Sequence, residues 1–342
     1  MRNLGIVASS ALKASAPSVT VSSVTNYNQN IGTLNGTVSA NGAITTTIKF
    51  QVSLNNSTWY DAVGGTAITN TSSDGVSVYY NATGYNNGGS VNFSPGTLYY
   101  IRLVATNSVG TTNSSSTSFT TWSLKTYQNG PSGSNDTLSG SQTFTIPTVT
   151  PTNGSAIIPS ITEILVVGGG GAMSGSLVGG GGGGGYNSES SATFSSTANF
   201  TLSLSIGGSG TASSISASNF TTISAGGGGT ADLNGGNVGS GDNLGYTGGT
   251  GVLYGDPKSG YYANGGGGAG AGGNGSATAQ YAAGAGGNGV SVYGYGVSAG
   301  GGGTAQNGTN GANGTYWGGY GSGQSYSGGP AIGLVRFKYY AA

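Results

Sequence analysis

Residues 163–187 read EILVVGGGGAMSGSLVGGGGGGGYN. The apolar run 164–167 has the character of a buried strand, and it leads without a break into four glycines, 168–171, with seven more at 179–185. Glycine loses more conformational freedom on folding than any other residue. A core strand followed by such runs therefore needs a reason. One answer is a flexible tether, the ordinary reading of a Gly/Ser tract. Two features oppose it: strand-like text lies on both sides of the glycine clusters, and Asn and Tyr are threaded through them. The ordered alternative is a bundle of polyglycine-II helices, with three residues per turn and a rise near 3.1 Å. Without Cβ atoms such helices approach closely enough to exchange N–H···O=C bonds, which satisfies backbone that is otherwise costly to bury. Seven glycines then form a rod roughly 22 Å long.

Composition narrows the function. The chain has 342 residues with 8 basic and 8 acidic side chains, no cysteine and no histidine. A neutral, charge-poor surface lacks the field that nucleic acid or anionic membrane requires, so neither partner is expected. Disulfides, thiolate metal sites and imidazole chemistry are excluded. The N-terminus MRNLGIVASSALKASAPS has no apolar run of signal-peptide length. No stretch reaches the span of a transmembrane helix, so insertion in a membrane is not expected. The expected route is assembly in a cytoplasm and release by lysis. Of the 73 glycines, 56 lie between Gly168 and Pro330 in irregular clusters, and with 8 prolines in all the collagen pattern is ruled out.

Upstream, residues 17–122 alternate in short runs broken by turn residues: SVTVSSVT, TLNGTVSANG, TTIKFQVSL, TLYYIRLVATNSVG and TSFTTW. That spacing predicts an antiparallel β-sandwich. Within it, FSPGTLYYIRLVATNSVGTTNSSSTSFTTW resembles the second half of a fibronectin type III domain. Phe93, Pro95, Thr97 and Tyr99 match the tyrosine corner of that family, and ATNSVGTTNS matches its last hairpin. TLNGTVSANG and Trp59 fit the first half more loosely. The resemblance implies a spacer or display module. Residues 1–16 before it read as an arm, either disordered or docking into another protein of an assembly.

Residues 123–160, which include QTFTIP, read as a linker and a hairpin that opens the next domain. Residues 161–342 form the glycine-rich domain, with strands expected at TEILVV, NFTLSLSIGG, SSISASNFTTISA and AIGLVRFKYY. The order FTIP, ITEILVVGGGGAMSG, GGGGGGGY, FTLSLSIGGSG, FTTISAGGGG and GGPAIGLVRFKYY resembles the glycine-rich domains of bacteriophage tail-fibre and adhesin proteins. A related domain occurs in the anaplastic lymphoma kinase receptor family, whose cysteines this chain lacks. The expected fold is therefore all-β: an Ig-like or fibronectin type III-like sandwich, then a β-framework carrying polyglycine-II helices. The resemblance implies a virion-surface adhesin without enzymatic activity. Its arm would bind other virion proteins, and its loops a host surface glycan or outer-membrane protein. A homotrimer follows from the phage resemblance alone. A capsid decoration or capsid-fibre protein with weak adhesion is the alternative.

Chemical motifs are few. ILVVGGGGAMSG fails the dinucleotide fingerprint, because Met173 or Ser174 falls where a small third residue is needed and no helical period follows. Asp232, Asp242 and Asp256 sit in turn-like text, where Asp commonly braces the backbone. No catalytic residue, metal or cofactor is assigned. The 21 tyrosines are more informative. Tyr and Trp give large contact area at low entropic cost, and Tyr261, Tyr262, Tyr293, Tyr295, Tyr316, Trp317 and Tyr320 are the candidate receptor contacts. The same rings would also shield a glycine bundle from water, and composition leaves both roles open.

Overall fold

The computed structural model describes residues 13–42, 45–67, 70–129, 140–147, 160–171, 182–193, 200–218, 220–229 and 332–342, with shorter pieces between 234 and 297. The described residues are all-β, arranged in antiparallel sheets. The chain divides into two compact units, the first made of the residues up to Leu124 together with Tyr340–Ala342 from the end of the chain, the second of the described residues from Lys125 to Tyr339.

The first unit holds β1 (Ser18–Thr25), β2 (Gly32–Ser39), β3 (Thr46–Ser53), β4 (Tyr60–Ala67) and β5 (Asn70–Thr71). It continues with β6 (Val76–Asn86), β7 (Ser90–Asn92), β8 (Leu98–Thr106), β9 (Thr111–Asn113) and β10 (Thr117–Thr120). They form one continuous sheet in the order β1-β2-β6-β4-β3-β8-β10. Its two halves, joined through β4, enclose a core of Leu34, Val38, Phe50, Ile101, Leu103 and Phe119. β4 changes partner from β3 to β6 through register shifts on either side of Gly64. There φ is +151°, and a Cβ would run into the Asn81 carbonyl oxygen, so the bend requires glycine. The Ser94 N–H donates to the buried Tyr99 hydroxyl at 2.9 Å. Trp59 is not in this core. Its ring lies 4.4 Å beneath the Arg102 guanidinium.

Residues 1–12 of the expected arm lie outside the described residues. The remainder is held to the sandwich: Ser15 N–H donates to the Asn41 carbonyl, and the Asn41 and Asn107 amides donate to the carbonyls of Ala16 and Ser15.

The second unit contains β11 (Ser123–Asn129), β12 (Gly140–Ile146), β13 (Ser160–Val167), β14 (Tyr186–Thr193), β15 (Phe200–Ile206) and β16 (Ser213–Ala217). It continues with β17 (Phe220–Ala225), β18 (Val252–Asp256), β19 (Gly260–Asn264), β20 (Val290–Val292), β21 (Tyr295–Val297) and β22 (Leu334–Ala341). One four-stranded sheet runs β11-β22-β13-β14 and another β12-β15-β16-β17. β11 and β12, the described strands of residues 123–160, join different sheets, β11 beside β22 and β12 beside β15. Ile164, Val166, Val335 and Phe337 from the first sheet pack with Ile146, Leu202, Leu204 and Ile215 from the second.

Val167 at the end of β13 pairs with Leu334 at the start of β22. The framework strands β14–β17 lie between them in the chain, and the excursion proper is the segment 226–333 that follows β17. Ala225 at the end of β17 pairs with Ser213, and Gly333 before β22 lies against the Ser213 hydroxyl, so it leaves and returns at the same place. The described glycine segments of the unit are bonded side by side, with donors and acceptors recurring every third residue. Gly168 and Gly171 donate to the carbonyls of Gly185 and Gly182, at 2.9 and 2.8 Å. Gly182 and Gly185 donate in turn to Gly229 and Gly226, and Gly226 and Gly229 to Ser240 and Asn237. Gly169 donates to the Thr211 carbonyl and accepts from Gly228, so one segment serves several neighbours. A Cβ on Gly168, Gly171 or Gly182 would meet the carbonyl oxygen of Gly226, Gly229 or Asn237 respectively. These glycines are required by close approach of backbone to backbone.

Candidate functional site

The core strands of the second unit have two apolar faces. Ile164 and Val166 of β13 point into the main core, whereas Leu165 and Val167 join Leu334 in a smaller cluster on the other face. Val290, Val292 and Tyr295 of the β20–β21 hairpin pack on that cluster, together with Tyr186. This brings a loop of the excursion onto the framework.

The polar groups beside the hairpin are concentrated. The register between β13 and β22 shifts from Thr162 to Leu165, and Glu163 in this bulge has φ +48°. A glutamate in the left-handed region is strained; bulges re-aim side chains, and here the carboxylate lies between two cations. Lys338 Nζ donates to Glu163 Oε1 at 2.7 Å. Arg336 Nη1 stands 3.8 Å from Glu163 Oε2, too far for a hydrogen bond. Arg336 is only 5% exposed, and its Nε and Nη1 make no hydrogen bond among the described residues. Its guanidinium lies 4.2 Å from the centroid of the Tyr295 ring, a cation–π contact that partly offsets the buried charge. On β14, Asp242 Oδ2 accepts from the N–H and the hydroxyl of Ser188, at 2.8 and 2.9 Å.

At the hairpin tip, Tyr293 (φ +49°) and Gly294 (φ +80°) form a two-residue turn with both residues left-handed. Such turns favour Asn-Gly, and a tyrosine in the first position is a costly choice. Its side chain remains 37% exposed. Burial of its remainder, and then the charges of Glu163, Glu189 and Asp242, push the phenol above its ordinary range. The ring therefore keeps its proton at neutral pH.

Of the candidate contacts read from sequence, the structure brings Tyr293 and Tyr295 to this one hairpin, with different surroundings: Tyr293 faces solvent and Tyr295 lies against Arg336. Tyr261 and Tyr262 fall in β19, where they pair with Gly255 and Tyr254 of β18. Tyr316, Trp317 and Tyr320 lie outside the described residues. Sequence reasoning missed Glu163, Arg336 and Lys338. Their only signal was the presence of charge within otherwise apolar strands. Asp242 braces the backbone of β14 through the Ser188 N–H. Among the described residues, no group of three His, Cys, Asp or Glu is placed to hold a metal ion, and no helix is long and apolar enough to cross a membrane. Comparison with protein-family models, curated proteins and solved structures found no match to the chain.

Proposed function

We propose that this chain is a bacteriophage virion protein, a tail-fibre or appendage adhesin. In this reading a fibronectin type III-like sandwich is followed by a glycine-rich domain built as a polyglycine-II bundle, and the activity is binding without turnover. The observation that carries the proposal is the three-residue repeat of hydrogen bonds between glycine segments. A helix with three residues per turn returns to each neighbour at that interval. Such a bundle is a rigid scaffold with little use beyond holding its own loops in place, which suits a displayed adhesin. The Ser94–Tyr99 hydrogen bond supports the type III-like reading, because a tyrosine corner makes that kind of contact.

The arm at 1–16 would attach to other virion proteins, placing the molecule on the particle surface. The tyrosine-bearing inserts would meet a host surface glycan or outer-membrane protein. The test is saturable binding of labelled full-length protein to intact bacterial cells across a panel of strains, competed by unlabelled protein. Competed binding to a subset of strains is the expected result. Absence of competed binding on every strain would remove the adhesin reading.

A further inference from the structure

We infer that the outer face of β3, β4 and β8 in the first unit binds a hexuronate, a sugar with one carboxylate, at the guanidinium of Arg102 and the indole of Trp59. On the adhesin reading above, that sugar belongs to an acidic polysaccharide of the host surface. Tyr99, Ile101 and Leu103 of β8 face the core, so strand alternation sets Tyr100 and Arg102 on the opposite face. Arg102 pairs with Gln51 of β3 across the ladder, and its Nε and Nη2 both donate to Gln51 Oε1, at 2.9 and 2.7 Å. Gln51 Nε2 donates to Asp61 Oδ1 of β4 at 2.8 Å, and Lys49 Nζ lies 3.0 Å from the same oxygen. The Trp59 ring lies 4.4 Å from the guanidinium. One edge of the guanidinium is thus bonded and one face stacked, which fixes its orientation. None of these five side chains belongs to the apolar core of the unit.

Neither the charges nor the donors of this network close on themselves. Lys49 is paired with Asp61, but Arg102 is held by a neutral amide, so two cations against one carboxylate leave a single positive charge. Arg102 Nη1 and Trp59 Nε1 make no hydrogen bond among the described residues, and the only buried side-chain atoms there without one are on Arg336. Both nitrogens are therefore open to solvent. A guanidinium whose Nε–Nη2 edge is occupied keeps a second edge, Nη1 with the remaining Nη2 proton, that fits a carboxylate. One net charge suits a monoanion, whereas a phosphate dianion would leave excess negative charge beside Asp61. The surroundings then favour a sugar over a bare carboxylate. Tyr100 pairs with Ser118 of β10 one step along the same face, the first half-buried and the second exposed, and their hydroxyls both donate and accept. Trp59 adds the indole N–H and an aromatic surface. Gln51 and Asp61 are positioning residues that hold the guanidinium.

The experiment is saturation-transfer NMR on the full-length protein with glucuronate, galacturonate and mannuronate in turn and glucose as the neutral control. Acetate, inorganic phosphate and a triglutamate peptide serve as competitors. Transfer to the ring protons of at least one hexuronate is expected, with none to glucose, and binding should weaken tenfold or more in Arg102→Gln. Arg102→Lys keeps the charge and loses the fork, so it should weaken binding by a similar factor. Near-UV circular dichroism matching the parent separates lost contact from lost fold. If both Arg102 variants fail to fold, Trp59→Phe decides: it keeps a ring under the guanidinium and removes the Nε1 donor, and unchanged binding would overturn the site. The site is also overturned if no hexuronate receives transfer, if Arg102→Gln binds as the parent does, or if glucose binds equally well. Displacement of the sugar by phosphate or triglutamate at lower concentration than by acetate would make it a site for those anions instead and overturn the hexuronate. Hexuronate binding without binding to any cell would remove the adhesin reading and keep the site. Cell binding unchanged in Arg102→Gln, with no hexuronate signal, would do the reverse.

Discussion

The first unit and the glycine segments of the second fill their interiors with different material. Leu34, Ile101 and Leu103 bring side chains into the sandwich core and are fully buried there, so burial of apolar surface supplies the stabilisation. Glycines 168–171 and 182–185 are also buried, but the neighbouring atoms are carbonyl oxygens and amide nitrogens. Hydrogen bonding and close contact do that packing, and the entropic cost of ordering glycine is the opposing term. A side-chain core tolerates small adjustments by changing rotamers. A backbone core has no rotamers to change, so its tolerance for added atoms should be lower.

Substitution tests this contrast directly. Gly168→Ala would force a Cβ onto the Gly226 carbonyl oxygen, and should destabilise the second unit by more than about 3 kcal/mol, the upper range for overpacking. Gly273 has nothing within 4 Å of its would-be Cβ, so Gly273→Ala should stay within about 0.5 kcal/mol, as surface changes do. Denaturation of the full-length variants followed by circular dichroism checks both. Equal effects would mean that glycine is not required by close approach.

In the first unit, Leu103→Ala should cost about 2–5 kcal/mol, as core truncations do. Chemical denaturation measures it, and a cost far below that range would mean the sandwich core collapses around the gap. Tyr99→Phe keeps the ring but strands the Ser94 N–H, and should cost about 1–3 kcal/mol in the same assay. The smallest effect concerns Asp61. Burial acts to raise its pKa, but hydrogen bonds from Gln51 and Lys49 and the Lys49 charge outweigh it and hold the carboxyl below its ordinary range. A depressed carboxylate contributes stability above its unfolded pKa and loses it as pH falls through the folded value. Because the group is half exposed, the contribution should be no more than about 0.5 kcal/mol after solvent screening. Parent and Asp61→Asn should therefore differ slightly at pH 7 and converge in acid.

Strands with clean alternation were legible in the text. SVTVSSVT is β1 to the residue and TTIKFQVSL overruns β3 by Leu54 alone, because one face of each meets the core and period two is the direct imprint of that. The longest strand, VSVYYNATGYN, escaped notice: Asn81 and Gly84 interrupt its pattern, and Thr33 Oγ1 donates to the Asn81 side chain across the pair. β14, with YNSESSAT, is a polar strand at the sheet edge and carries no apolar period at all. Pairing partners were the least readable feature. Local text suggests a hairpin within 123–160, whereas β11 bonds to β22 and β12 to β15, choices made by the whole core. The charged cluster was illegible for the same reason, since Glu163 and Lys338 are 175 residues apart and meet only through the β13–β22 register.

The meeting of Ala225 and Gly333 at Ser213 has a consequence for how such a chain can change. Both ends of the excursion 226–333 are fixed at one point of the framework, so its length does not enter the geometry of the two sheets. Closing a longer loop costs only about 0.6 kcal/mol per doubling. The framework thus acts as a socket: the text between β17 and β22, outside its bonded glycines, can be lengthened, shortened or exchanged with that of another chain while the same strands close beneath it. A molecule built this way can revise its surface without refolding its base.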